Sequence, residues 1–190
     1  MRRPAVLLWL AVACSEGTDP GNQYYSLSQV QAEAVVEVLV AGGVGPLMPL
    51  VPQEVTSGLV QLPVTASTPC TPTGAITLSG TIQGTATSGS ASLLINVGES
   101  VSACEIEIEG KTYRMNGVPV VAIGGFANYL DGALLNTQSL FFSGTVQVIG
   151  DQNAQAICPV DLTVTITDWS PDVHVQGNIC GRGIDQTVGV

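Results

Sequence analysis

Glu105, Glu107 and Glu109 alternate with apolar residues in the run CEIEIE. On an extended strand alternate residues share one face, so the three carboxylates would stand in a row about 7 Å apart. Such a row could offer oxygens to Ca²⁺ or hold a basic ligand. It could also be a solvated face that keeps a strand edge from pairing with another chain, helped by Lys111 and Arg114 nearby. The second reading is the stronger one. Ca²⁺ sites draw their oxygens mostly from loops, and no D-x-D-x-D-G run occurs in the chain.

Other side chains do not assemble a familiar reaction centre. His174 is the only histidine, and it lies between two valines that leave it on the outer face of a strand. There is no G-x-S-x-G elbow to supply a nucleophile, and too few histidines for a zinc site. The Gly-Gly pairs at 42–43 and 124–125 lack the Lys and Ser/Thr of a phosphate loop. The expectation is therefore no catalytic residue, no metal and no cofactor. Trp169, together with Tyr129 and Phe126, is a candidate contact patch near loops. Asp131, Asp151, Asp168 and Asp172 fall at expected turns, where Asp is common for its own backbone chemistry.

Charge narrows the partners. Charged residues make up only 11% of the 190, and the formal net charge is −10. A chain this acidic repels phosphate backbones and anionic head groups, so nucleic acid is excluded as a partner.

The five cysteines are Cys14, Cys70, Cys104, Cys158 and Cys180. Cys14 closes the run MRRPAVLLWLAVAC, which has a basic start, a short apolar stretch and small residues at Ala11 and Ala13. This is the pattern of an export signal, too short to span a bilayer as a mature helix. Leu10-Ala11-Val12-Ala13-Cys14 resembles the lipobox of bacterial lipoproteins. The resemblance covers about the first 14 residues, and Ala11 stands where the family prefers Leu. It implies cleavage before Cys14 and acylation of that residue, hence a lipid-bilayer anchor. Ser15, where an Asp would imply inner-membrane retention, implies the outer membrane. Without Cys14 the exported chain keeps an even set of four cysteines, which suits two disulfides.

The elements that must carry these residues follow from periodicity. Residues 1–13 read as the signal and 14–25 as a polar tether. Residues 26–72 read as a helix, about 28–41, followed by a proline-rich wrapping segment with an extended, edge-placed piece at 55–63. The helix opens with the capping box Ser28/Gln31 and is expected to end at Gly42-Gly43. From residue 73 the period changes to two, giving a β domain over 73–190 that packs with 26–72 as one unit. Eight or so short strands with glycine turns predict a mainly β fold, an antiparallel sandwich or open barrel with one N-terminal helix. The segments SGTIQ at 79–83 and SGTVQ at 143–147 echo one another, by chance or through shared sheet geometry. A turn centred near residue 169 would face Cys158 with Cys180, leaving Cys70 for Cys104. Side-chain parity conflicts with that pairing, and a bulge at Gly177 is expected to relieve it.

Together these readings predict a membrane-anchored lipoprotein of the cell envelope, a non-catalytic binding or structural module with a protein or glycan partner. The alternatives are a periplasmic carboxylate-dependent hydrolase and a Ca²⁺-dependent adhesin.

Overall fold

The structure is a computed structural model that describes residues 26–50, 57–130, 133–134, 137–167 and 170–190. Cys14, the tether and Trp169 lie outside the described residues, as do Asp131 and Asp168. The chain runs through helix α1 (Gln29–Leu47) and a 3₁₀ turn (Met48–Leu50). The strands then follow as β1 (Gly58–Pro69), β2 (Ala75–Thr87), β3 (Ser90–Ser102), β4 (Cys104–Ile108), β5 (Lys111–Gly117), β6 (Val121–Leu130), β7 (Ala133–Leu134), β8 (Gln138–Ile149), β9 (Gln155–Ile166), β10 (Asp172–Ile179) and β11 (Arg182–Gly189).

The eleven strands among the described residues belong to one antiparallel sheet with the main order β1-β2-β3-β6-β8-β9-β10-β11. β1 ends the row, in keeping with its prolines. β6 pairs with the first part of β8, and β5 continues along the same edge of β8 through the pairs Arg114↔Ile149 to Gly117↔Val146. The β4–β5 hairpin thus hangs off the centre of the sheet. Alternation sorts the two faces cleanly. On β9, Cys158, Val160, Leu162, Val164 and Ile166 are buried, as the period of two predicts. The fold is an open, coiled sheet wrapped on a helix, with a single core running along its inner face.

α1 begins with the expected capping box, Ser28 Oγ accepting from the Gln31 amide and Gln31 Oε1 accepting from the Ser28 amide. It does not stop at Gly42-Gly43. Both glycines are buried inside the helix. A Cβ on Gly42 would lie 2.4 Å from Ile76 Cδ1, and one on Gly43 would lie 2.9 Å from both Ile123 Cδ1 and Phe142 Cε1. Close approach to the sheet outweighs the roughly 1 kcal/mol per residue that glycine costs a helix. By length and composition alone α1 could cross a membrane. Its buried residues, from Ala32 to Leu47, mark it as a core helix.

The sequence reading omitted β11. Its inward positions are Arg182, Ile184, Gln186 and Val188, so polar residues interrupt the apolar phase. These polar residues bind α1 and the residue that leads into it. Arg182 Nε donates to the Leu27 carbonyl (2.9 Å), and Gln186 Nε2 donates to that of Glu33 (3.1 Å). In return Gln29 Nε2 donates to the Gly183 carbonyl.

Both expected disulfides are present, Cys70–Cys104 and Cys158–Cys180. The bulge at Gly177 is not. The β9–β10 register runs unbroken from His174↔Thr165 to Ile179↔Val160. Cys180 instead lies beyond the end of β10, in the β10–β11 turn, with φ +53°. There strand parity no longer governs its side chain, and its amide donates to the Pro159 carbonyl. The SGTIQ and SGTVQ echo has a structural counterpart. Gly80 and Gly144 have φ of +157° and +153°, and a Cβ on either would meet backbone, Asn96 O of β3 at 2.3 Å and Val120 O just before β6 at 2.9 Å. These are points where the sheet coils tightly.

Candidate functional site

The glutamate row is split. Glu105 and Glu107 lie on the outer face of β4, while Cys104, Ile106 and Ile108 are buried. Glu109 leaves the strand. It has φ +53° and, with Gly110 at +75°, forms the two-residue turn into β5. Paired positive φ values fit the right-handed twist of a hairpin, which sets Glu109 apart from the other two. Arg114 stands opposite Glu105 and Thr112 opposite Glu107. Lys111 Nζ reaches Asp151 Oδ2 at 3.9 Å across exposed surface. Among the described residues no group of three His, Cys, Asp or Glu side chains is placed to hold a metal ion.

His174 lies on β10 with its Nε2 2.7 Å from Asp185 Oδ1 on β11. Gln176 Nε2 also approaches Asp185, at 3.5 Å. The arrangement is a surface cross-strand contact. The expected contact patch is corrected in part. Tyr129 is buried, at 4% exposure, because it falls on the inward phase of β6. Burial pushes its phenol pKa up. Phe126 falls on the outward phase of the same strand and is 59% exposed.

Phe126 is not isolated. Leu94 on β3 stands opposite it, and Phe141 on β8, 52% exposed, stands opposite Gly124. Register therefore lays Leu94, Phe126 and Phe141 diagonally across the middle of the outer face. Gly124 between the rings adds no side chain. Beside them lies a shallow depression of ≈ 260 Å³ lined by Thr85, Thr87, Ser90, Ser92 and Asn128, with Ala91 and Tyr129. Ser92 and Asn128 pair across the strands two residues from Leu94 and Phe126. The lining carries hydroxyls and an amide and no charge.

The other notable group is inside. Glu99 lies on the inward face of β3, in phase with Ile95, Val97 and Val101, and is 0% exposed. Leu78 of β2 and Val121 of β6 stand opposite it. Among the described residues neither carboxyl oxygen has a hydrogen-bond partner. Desolvation raises its pKa well above the ordinary carboxylate range. Sequence reasoning stopped the strand at Val97 and missed it. The signal was the continued alternation Leu93, Ile95, Val97, Glu99, Val101, which puts an acid in the apolar phase. Phe141 carried a weaker signal, an apolar residue in the polar phase of LFFSG.

No family model, curated protein or solved structure matches the chain.

Proposed function

We propose that the protein is a non-catalytic binding module of the bacterial cell envelope, held to the membrane by acylated Cys14 and the tether of residues 14–25. Its contact face is the outer surface of β3, β6 and β8, and its ligand is a neutral, hydroxyl-rich molecule of the glycan class. The observation that carries this reading is the pair Phe126 and Phe141, both more than half exposed in mid-strand. Apolar groups clustered on a solvated sheet face mark a contact site. Phenyl rings offer flat apolar surface to the C–H face of a sugar, and the neighbouring depression offers hydroxyl and amide partners. The acidity of the chain disfavours phosphorylated or nucleic-acid ligands. Glu105 and Glu107, on a hairpin with Glu109 turned away, give less support to a Ca²⁺-dependent adhesin or a two-carboxylate hydrolase.

The test uses the full chain carrying Cys14→Ser, so that membrane anchoring does not dominate, in cosedimentation with insoluble envelope polysaccharide of the host. Phe126→Ala with Phe141→Ala should weaken retention about tenfold, equivalent to about 1.4 kcal/mol. Equal retention of the two forms, or none by either, contradicts this contact face.

A further inference from the structure

Glu99 is a carboxyl group enclosed by apolar side chains with both oxygens unpartnered. The element that encloses it from the inner side is α1. A Cβ on Gly43 would lie 2.9 Å from Glu99 Oε2, so the helix backbone rests directly on the carboxyl. The groups placed around it are uncharged: Gly43 from α1, Leu78 from β2, Val121 and Ile123 from β6, and Phe142 from β8. The acids of α1, Glu33 and Glu37, lie six or more residues before Gly43, which is about 9 Å or more along the axis. The glutamates of β4 point outward, and Tyr113 of β5 accepts a hydrogen bond from Gln31. No cation among these groups could balance a carboxylate at that place. An unpaired ionised carboxylate in an apolar core is strongly disfavoured, so the group stays neutral while enclosed.

We propose that Glu99 makes the seating of α1 on the sheet proton-dependent: the helix docks on the neutral carboxylic acid and is released when Glu99 ionises. In this proposal the strands stay paired with one another while the helix contact opens. The strands are joined by continuous ladders, and the two disulfides tie Cys70 to Cys104 and Cys158 to Cys180. α1 is attached by apolar packing and a few side-chain hydrogen bonds to β5 and β11.

Linkage sets the expected size. When opening exposes Glu99, the open form loses its proton above an ordinary carboxyl pKa of about 4.3 while the closed form keeps it. The opening constant of α1 should then rise tenfold per pH unit until the closed form itself ionises. Hydrogen exchange of peptides from 29–47, divided by the intrinsic exchange rate, reads this constant between pH 5 and 9. The wild-type chain should show the tenfold slope, and Glu99→Gln should be flat. Peptides of β9, which open with the whole fold, should keep a much smaller opening constant than those of α1 at every pH. Equal slopes in wild type and Glu99→Gln overturn the proposal, and so does an opening constant shared equally by α1 and β9, which would report global unfolding. Should Glu99→Gln fail to fold, infrared spectra of the wild type decide. A protonated-carboxyl band at neutral pH that vanishes on alkaline release of α1 supports the latch, and absence of that band at neutral pH overturns it.

Discussion

At the scale of single residues, position in the strand phase decides what a side chain can do. Glu105 and Glu107 take the outward phase of β4 and meet water, whereas Glu99 takes the inward phase of β3 and is enclosed. The same residue type thus has opposite consequences for stability. The pKa of Glu99 is raised in the fold, so the folded chain holds a proton that the unfolded chain gives up above about pH 4.3. Its contribution is neutral below that pH and becomes unfavourable as pH rises toward the folded pKa. Denaturant unfolding at pH 5 and pH 8 should therefore show wild type losing stability relative to Glu99→Gln, by up to about 1.4 kcal/mol per pH unit. Parallel behaviour of the two proteins would mean that Glu99 is solvated. Gly43 tests the same contact from the helix side. Gly43→Ala pushes a methyl against Glu99, Ile123 and Phe142 at once. Its overpacking cost of about 1–3 kcal/mol should exceed the propensity gain from alanine, and thermal unfolding would register a net loss.

At the scale of elements, strands were more legible than the glycines between them. The alternation in CPVDLTVTITD and the capping box at Ser28 belong to local sequence and could be read directly. The extent of α1 could not. Gly42-Gly43 has the local chemistry of a helix stop, and only the approach of Ile76, Ile123 and Phe142 makes it a helix interior. β11 was hidden for a related reason, since Arg182 and Gln186 face inward to serve the Leu27 carbonyl just before α1 and the Glu33 carbonyl within it. The Cys158–Cys180 pairing was legible from hairpin symmetry, but its route was not, because a positive φ at Cys180 depends on the turn that follows it. Two element-scale outcomes follow. Ser28→Ala removes one half of the capping box and should lower stability by about 1 kcal/mol in denaturant unfolding. Replacing both Cys158 and Cys180 by Ala opens a loop of 22 residues' separation and should cost about 3 kcal/mol by chain entropy, read in the same way.

At the scale of the whole molecule, the open sheet on its helix gives the chain two unlike surfaces. The inner surface is filled by α1 and leaves Glu99 enclosed. The outer surface carries Phe126 and Phe141 beside a hydroxyl-lined depression. Of the exposed apolar diagonal only Phe126 was singled out from sequence, because the alignment of Leu94, Phe126 and Phe141 exists only once β3, β6 and β8 are in register. On the proposed reading, a lipid anchor at Cys14 would place this face at the envelope. Intact mass of the protein from the membrane fraction of its host, measured beside Cys14→Ser, tests the claim most directly. The account predicts loss of residues 1–13 together with added acyl chains in the wild type, and no acyl mass in the variant. An unacylated wild-type chain from a soluble fraction would contradict it.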